Sequence, residues 1–335
     1  MVGLLWRAGS FDLPLVGRQC AAGLTDAAMT AASPSTALAS QILHGIYYML
    51  GAVVLFSGMD ALIKYASETY PTGQIVFFRN LFAFVPVIYF LRQAGGLSAL
   101  RTRRPRDHIL RGIVGVTAMG LVFTAFKLLP LGEAVALTLS GPIFLTALSV
   151  PLLGEKVGLR RWSAVIAGFI GVLIMTRPGA GLFNPAALFA LGGAVFYALA
   201  MISVRWLSGT EPAATTVFYF TLFATAAGAL TLPFQWQTPD LAGFCLLAGI
   251  GLIGGVAQMA MTQAFRMAPA SIIAPFEYLA LVFAGTIGYL VWREVPDAYV
   301  LVGSAVVIAS GLYILHRETV RGRRAIAIER AARSD

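Results

Sequence analysis

Charged residues are scarce in this chain. Of its 335 residues only 12% are Asp, Glu, Lys or Arg, whereas a soluble domain keeps roughly a quarter of its residues charged to cover its surface. Cysteine and histidine are scarcer still, with 2 and 3 residues. Cys20 and Cys245 are too few and too distant for a metal cluster, and neither needs a disulfide. These shortages exclude an ordinary soluble globule and argue against a metal site.

Catalytic and nucleotide-binding motifs are also missing. The chain has no His-Glu-x-x-His, no Gly-x-Ser-x-Gly and no phosphate-binding loop. We therefore expect no catalytic residues, no metal and no cofactor, and the missing phosphate loop argues against an ATP-driven pump. The net charge of +9 does not indicate a nucleic-acid partner. Its arginines cluster in short loops and in the C-terminal tail, where they orient membrane proteins.

Long apolar runs make up most of the chain. Hydrophobic residues are 58% of the total, and the mean hydropathy is +0.80. Because a membrane-spanning helix needs about 20 apolar residues, the runs predict ten spans, with the lipid bilayer as the first partner. The spans are 42–66, 74–92, 108–128, 133–153, 160–177, 185–206, 213–233, 239–265, 270–292 and 297–316. The length and continuity of the runs favour helices over barrel strands.

The two ends of the chain differ from its apolar middle. Residues 1–41 are rich in Ala, Ser and Thr and predict a disordered tail, with Met29 as an alternative start. Residues 318–335 are rich in Arg and predict a tail lying against anionic headgroups. With both termini inside, the Lys and Arg residues concentrate on the inner side. We therefore predict a multi-pass protein of the cell inner membrane with cytoplasmic N- and C-termini.

The second half of the chain repeats the first. Residues 125–130 (AFKLLP) align with residues 264–269 (AFRMAP), and the same spacing places Glu155 over Glu294. The halves are roughly 42–177 and 185–317. Each holds five spans, so the second half enters the membrane upside down. The pattern predicts an all-α membrane protein of about ten transmembrane helices, built as two inverted five-helix repeats, which is typical of alternating-access transporters.

Short sequences at matching places in the halves carry a family resemblance. Residues 57–64 (SGMDALIK) and the Gln74-x-x-Phe77-Phe78-Arg79 sequence open the first half, and Gly154-Glu155 and Arg293-Glu294 close the fourth and ninth spans. With the doubled pattern over about 47–317, the chain resembles the drug/metabolite transporter superfamily, EamA type. The resemblance implies a ten-helix bacterial inner-membrane carrier with a central cavity between the halves. Such carriers move amino acids, cofactors, nucleoside-like metabolites or drugs. Arg293 departs from the pattern, which has Gly before the Glu.

Three ionisable residues lie inside predicted spans without a charged counterpart in the other half. Asp60, Arg79 and Glu277 align with Met201, Phe220 and Thr138. Because a charge is costly within the membrane, such residues are functional candidates. Asp60 and Arg79 lie about equally far from the turn at 70–71, so we expect them to form one electrostatic unit. That unit is either a salt bridge clamping two helices or a polar wall of the substrate path.

Lys64, a fourth charged candidate, and Glu277 each need a separate interpretation. Lys64 follows Asp60 by one turn on the same helix face, in the favourable acid-then-base order. Its counterpart Arg205 favours a role in the shared scaffold. Glu277 has no partner near it in sequence. It either takes up a proton or neutralises a cationic substrate, or it is a carboxyl group hydrogen-bonded to a neighbouring helix.

Helix breaks and uncharged polar residues complete the candidate site. Pro142 and Pro275 interrupt the corresponding fourth and ninth spans, and each removes a backbone donor. Matching interruptions indicate a site near the membrane midplane, although each is also compatible with a simple kink. The polar and aromatic candidates are Gln258, Gln263, Thr138 and Tyr278, with Thr117, Thr124, Thr262, Phe196, Tyr197, Tyr219 and Phe220 as weaker ones. Each of these is equally able to pack or bond within the bundle.

The sequence thus predicts a secondary transporter that moves a small organic metabolite by alternating access. A proton or a counter-substrate is the expected coupled species. The family resemblance suggests amino acids, riboflavin or S-adenosylmethionine, and Asp60 and Glu277 favour a solute with a positive group. One alternative is an intramembrane enzyme on a lipid-linked substrate, which would need a polar catalytic cluster at one surface. Another is a non-transporting scaffold or channel, which leaves the inverted repeat unexplained.

Overall fold

A computed structural model describes residues 34–93, 96–154, 158–177, 184–208, 211, 213–268 and 270–332. The predicted disordered segment lies mostly outside these residues. The described residues form twelve α-helices and no strand. The helices are α1 Pro34–Ala66, α2 Thr72–Gln93, α3 Pro105–Leu128, α4 Leu131–Thr138, α5 Gly141–Leu153, α6 Leu159–Thr176, α7 Ala187–Ser208, α8 Ala213–Thr231, α9 Leu241–Met267, α10 Ala270–Ile273, α11 Leu279–Trp292 and α12 Ala298–Ala332.

Ten segments among the described residues are long and apolar enough to cross a membrane. α4 and α5 together make the fourth, and α11 with the 3₁₀ turn before it makes the ninth. The prediction of an all-α protein with ten spans is confirmed. In a bilayer this architecture is required, because each helix satisfies its own backbone hydrogen bonds where no water can. Large apolar side chains stand on the outside of the bundle, among them Val85, Ile166 and Val282.

The first and last helices are longer than the apolar runs alone indicate. α1 begins at Pro34, before the predicted span start at residue 42. α12 continues to Ala332 through a segment rich in Arg, where the sequence predicted only a tail after residue 317. Hydropathy finds the part of a helix that lies in lipid. It does not find a polar continuation, because nothing in the apolar pattern marks one.

Helix pairing follows the inverted repeat. α1 packs along α9, and α3 packs along α7. When span 1 is exchanged with span 6, 2 with 7 and so on, these two pairs turn into each other. α2 with α9 and α3 with α8 likewise turn into each other. Three further close pairs are α2 with α8, α6 with α12, and α4 with α11. Each of these maps onto itself, as expected where two homologous halves meet at a pseudo-two-fold axis in the membrane plane.

Close glycine contacts repeat in the same way. A Cβ atom at Gly112 would lie 2.7 Å from Cγ of Phe223, and one at Gly251 would lie 2.5 Å from Cβ of Phe82. Gly112 is the repeat counterpart of Gly251, and Phe82 is the counterpart of Phe223. Both contacts join a helix of one half to a helix of the other. Small residues thus let the halves approach closely, as glycine does in membrane helix packing.

The bundle has two ends, which the chain visits alternately. The α1–α2 end is where the 67–71 turn lies, and the α2–α3 end is where the 96–104 connection lies.

α5 and α11 finish at opposite ends with the same left-handed cap, at Gly154 (φ 67°) and Arg293 (φ 57°). Arg293 therefore keeps the backbone geometry of the glycine it replaces, at a steric cost of about 1–2 kcal/mol.

Candidate functional site

Asp60 of α1 and Arg79 of α2 both lie within the membrane-spanning part of the bundle. They interact electrostatically, yet no ion pair within 4 Å joins them among the described contacts. Nη1 of Arg79 donates instead to Oδ1 of Asn80 at 2.9 Å. Nε of Arg79 is fully buried without a hydrogen-bond partner. The two charges therefore influence each other, but no described hydrogen bond or ion pair joins them.

The Arg79 side chain reaches across to the second half of the chain. A Cβ atom at Gly254 of α9 would lie 3.2 Å from Nε of Arg79 and 2.6 Å from Sδ of Met59. Gly254 thus leaves the space in which the guanidinium group lies. Arg79 is only 6% exposed, and it stands where α1, α2 and α9 meet. This position is at the interface between the two repeats.

Asn80 holds the Arg79 side chain and was not singled out from the sequence. It is fully buried, and its Nδ2 donates to the carbonyl oxygen of Val76 at 2.8 Å and approaches Sδ of Met119 at 3.4 Å. Its Oδ1 is left to accept from Arg79. An uncharged amide inside an apolar helix is a weak sequence signal, because such amides also bond ordinary helix backbone.

Glu277 lies in a 3₁₀ turn, Ala274–Tyr278, that interrupts the ninth span at Pro275. The carboxyl group is partly buried, and the described residues offer it no hydrogen bond and no ion pair. It interacts electrostatically with Tyr197 of α7 and with its neighbour Tyr278. The Tyr278 ring points toward α12, where its hydroxyl lies 1.7 Å from the place of a Cβ at Gly311. Tyr197, from the same half, is thus the nearer polar neighbour of Glu277 on another spanning helix.

Arg111 of α3 follows the arginines of the 101–106 loop in the sequence, but it lies inside the bundle. Its Nε and Nη1 atoms are fully buried and have no hydrogen-bond partner. The guanidinium carbon lies 4.4 Å from the centre of the Phe220 ring, and Arg111 interacts electrostatically with Tyr197. α3 begins at Pro105, three residues before the predicted span start. The extra residues place Arg111 nearly two turns inside the helix.

Lys64 does not join the Asp60 group. Its Nζ forms an ion pair with Oε1 of Glu294 at 2.8 Å and donates to the carbonyl oxygen of Leu129 at 2.6 Å. Oε2 of Glu294 accepts from the backbone N–H of Leu131 at 2.8 Å. The two side chains thus tie α1 to the α3–α4 turn and to the end of α11. Lys64 is 8% exposed, so this is a largely buried tie between the halves.

The remaining sequence candidates are spread over the bundle. Gln258 borders a small hollow between α2, α8 and α9, together with Val87, Phe90, Ala214, Val217, Met259 and Thr262. Gln263 is partly buried one turn further along α9. Oγ1 of Thr138 donates to the carbonyl oxygen of Val135 at 2.8 Å. Thr138 ends α4, and the fourth span resumes at Gly141 with Pro142 in its first turn.

The α2–α3 end carries a second set of contacts between the halves. Oε1 of Glu211 accepts from Oγ1 of Thr102 at 2.9 Å and from the backbone N–H of Arg103 at 3.2 Å. Nε2 of His108 lies 4.0 Å from Oε2 of Glu211, and the Tyr219 hydroxyl donates to the carbonyl oxygen of Leu100 at 2.9 Å. Tyr219 is among the weaker sequence candidates, but the other members carry no sequence signal, because the contacts join residues far apart in the chain. Among the described residues no cluster of His, Cys, Asp and Glu is able to hold a metal ion.

Comparison with known proteins identifies the family. The EamA-like transporter family matches residues 43–177 and 184–316. A riboflavin transporter of Vibrio cholerae is 32% identical over 84% of this chain and 96% of its own length. An S-adenosylmethionine uptake transporter of Rickettsia bellii is 29% identical over 82% and 94% of the two chains. A pseudopaline exporter of Pseudomonas aeruginosa is 31% identical over 79% and 94%.

A solved crystal structure agrees with these matches at the level of the fold. It aligns with a TM-score of 0.58 at 19% identity, over 84% of this chain and 98% of the other. The family matches fall on the two halves that the internal repeat had delimited, and the relatives carry small molecules across membranes. They confirm the resemblance read from the sequence and the prediction of a small-metabolite transporter. The chain therefore belongs to the EamA-like transporter family.

Proposed function

We propose that this transporter binds its substrate between the two repeats, at the level of Asp60, Arg79 and Glu277, and works by alternating access. The observation that carries the proposal is a group of intramembrane charges that the described residues do not fully satisfy. Asp60 and Glu277 lack a described hydrogen bond, and Arg79 has a buried Nε without a partner. Charges left in this state within a membrane belong to substrate or ion pathways far more often than to the scaffold.

Contacts at both ends of the bundle support alternating access. At the α1–α2 end, Lys64 pairs with Glu294 and Gln74 bonds the backbone of Gln237. At the α2–α3 end, Glu211 bonds Thr102. Each contact joins one half to the other. A substrate between the halves leaves on either side only when the contacts on that side break, so the two sets act as alternative closures.

We propose that the α2–α3 end faces the cytoplasm of a bacterial cell, in the inner membrane. Arg101, Arg103, Arg104 and Arg106 all lie at that end, and basic residues concentrate on the cytoplasmic side. Both termini then lie inside, and residues 42–177 and 185–317 are the two transporting units. Alkaline-phosphatase fusions at residue 335 should be inactive and fusions near residue 180 should be active. Activity at residue 335 would overturn the orientation.

The substrate candidates are S-adenosylmethionine, riboflavin and amino acids. Relatives at 29% and 32% identity bear the first two names. Asp60 and Glu277 favour a solute with a cationic group, so S-adenosylmethionine is the first to test. Glu277 is also the residue that would exchange a proton or meet a counter-substrate, because it is a carboxyl group in an interrupted helix. The proposal assigns no catalytic step to the protein.

The experiment is a ligand-induced thermal shift on the purified protein, followed by uptake into proteoliposomes. A ligand at 100 times its dissociation constant stabilises the folded state by about 2.7 kcal/mol. S-adenosylmethionine, riboflavin and the amino acids are measured beside ATP as a compound outside the expected set. We expect at least one candidate to raise Tm and to be taken up. If no candidate does either, the substrate assignment is wrong.

A further inference from the structure

We infer that Arg111 binds an anionic group of the substrate, a carboxylate or a phosphate. The inference rests on the proposed function, because it concerns the same space between the repeats. Arg111 belongs to no part of the site that the repeat pattern predicted. Its guanidinium group is held within the membrane-spanning bundle by Phe220, with buried Nε and Nη1 atoms that no described residue bonds.

Lys64, another buried cation, shows what Arg111 lacks. Lys64 has both a carboxylate at 2.8 Å and a carbonyl oxygen at 2.6 Å, which together offset the cost of removing its charge from water. Arg111 has an aromatic face and the electrostatic influence of Tyr197, but no acidic residue within ion-pair distance among the described side chains. A cation in that state needs an anion from outside the protein. A guanidinium group suits carboxylate and phosphate oxygens, because its donors match them two at a time.

The repeat places this guanidinium group opposite that of Arg79. Phe220 is the counterpart of Arg79, and Gly115 is the counterpart of Gly254. Arg79 lies against Gly254, and Phe220 lies against Gly115, with 2.8 Å from Cε2 of Phe220 to the place of a Cβ at 115. The same Cβ position is 2.0 Å from Nη1 of Arg111. Arg111, although it belongs to the first half of the chain, therefore places a guanidinium group beside Phe220, the repeat counterpart of Arg79.

The surroundings of Arg111 explain why one anionic and one cationic group suit the same substrate. Tyr197 lies within electrostatic range of both Arg111 and Glu277. Because residue 115 is glycine, it leaves the space that the Arg111 guanidinium group and the Phe220 ring fill. A substrate with a cationic and an anionic end is thus able to meet Glu277 and Arg111 together.

The first test measures the ligand-free protein. Because no described residue forms a hydrogen bond or an ion pair with Arg111, Arg111→Met should leave Tm unchanged or raise it by up to about 2–4 °C. The matched control is Lys64→Met, which removes a paired cation and strands Glu294, and should lower Tm. If Arg111→Met lowers Tm as much as Lys64→Met does, Arg111 has a partner within the protein and the inference is wrong.

The second test compares ligands that differ only by an anion. The pairs are S-adenosylmethionine with its decarboxylated form, for a carboxylate, and riboflavin 5′-phosphate with riboflavin, for a phosphate. In one pair the anionic member should bind the wild type at least about tenfold more tightly, which is 1.4 kcal/mol. Arg111→Met should abolish that preference and leave the affinity for the other member unchanged. Arg111→Lys should keep part of it. A wild type with no preference in either pair overturns the inference.

The two tests separate this inference from the proposed function. Failure of uptake with an intact anion preference would remove the transport proposal but keep Arg111 as an anion-binding residue. The other outcome is that wild type and Arg111→Met show the same uptake and the same preference for the anionic member. That result would keep the transport proposal and remove Arg111 from the site.

Discussion

Charged side chains within the bundle differ in whether the protein itself satisfies them. Lys64 and Glu294 are bonded to each other and to backbone groups of the α3–α4 turn, and they serve the scaffold. Asp60, Arg79 and Glu277 retain unused polar atoms. We propose that this difference, more than depth alone, distinguishes charges that serve the scaffold from charges available to a substrate, because a half-satisfied buried group is the costly one.

Asp60 and Arg79 should behave as one unit in a double-mutant cycle. Asp60→Asn leaves the Arg79 charge buried beside a neutral amide, and Arg79→Gln leaves the carboxylate without its cation. Each single variant should therefore lower the free energy of unfolding in detergent. The double variant should recover about 0.5–3 kcal/mol of the summed losses.

The control for this cycle is Asp60→Asn combined with Arg92→Gln, since Arg92 is exposed at the far end of α2. That combination should be additive within about 0.5 kcal/mol. If the losses in the free energy of unfolding for Asp60→Asn and Arg79→Gln were also additive, the two residues would not be coupled. The electrostatic unit would then be removed from the site.

The charge differences between the two repeats predicted part of the candidate site, but the hydropathy pattern did not indicate another part of it. Asp60, Arg79 and Glu277 stand out because their counterparts are uncharged. Arg111 follows a run of loop arginines, and the apolar pattern cannot tell a loop cation from one a turn or two inside a helix. The roles of Asn80 and of the Lys64–Glu294 pair could not be predicted for a different reason. Their importance comes from contacts between helices, which one sequence does not display.

At the scale of the helices, interruptions and glycine contacts define where the halves meet. The fourth span stops at Thr138 and resumes at Gly141, and the ninth passes through a 3₁₀ turn at Ala274–Tyr278. Both prolines were visible in the sequence, but the form of each break was not. Proline removes a backbone donor in either case, and the neighbouring helices decide whether a kink, a gap or a 3₁₀ turn results.

Gly251→Ala should destabilise the bundle, whereas Gly249→Ala should not. A Cβ at 251 would lie 2.5 Å from Cβ of Phe82 and 2.9 Å from two carbonyl oxygens of α2, so the helices must move apart. We expect a loss of about 1–3 kcal/mol. A Cβ at Gly249 meets nothing within 4 Å, and alanine there should gain about 0.5–1 kcal/mol from helix propensity.

Thermal unfolding of the two glycine variants in one detergent measures this difference. Equal Tm values for Gly251→Ala and Gly249→Ala would show that α2 and α9 are not packed as closely as described. The comparison also tests the repeat, because Gly112→Ala should mirror Gly251→Ala through its contact with Phe223.

At the scale of the whole molecule, alternating access predicts that the contacts at each end of the bundle hold that end shut, and this closure can be measured. The Lys64–Glu294 tie should hold the α1–α2 end shut. Ala134, one turn into α4 beside this tie, is fully buried. In a chain with Cys20→Ser and Cys245→Ser, Ala134→Cys should react slowly with a membrane-impermeant maleimide. Adding Glu294→Gln should speed the reaction several-fold, because the tie loses its charge.

Lys127→Gln is the matched control for this labelling. Lys127 is exposed at the same end and takes no part in the tie, so its replacement should leave the labelling rate unchanged. A labelling rate that Glu294→Gln does not alter would mean that the tie does not close this end of the bundle.

The most direct measurement is counterflow of radiolabelled S-adenosylmethionine, riboflavin and amino acids into proteoliposomes, by wild type and by Glu277→Gln. The amide keeps the shape of the side chain and costs less to bury than an unpaired charge, so the variant should fold with an unchanged or higher Tm. Wild type should accumulate one of these compounds, and Glu277→Gln should do so at least about tenfold more slowly or without dependence on external pH. A folded Glu277→Gln protein that transports like wild type at every pH, or a wild type that accumulates neither S-adenosylmethionine nor riboflavin and no amino acid, would contradict the account.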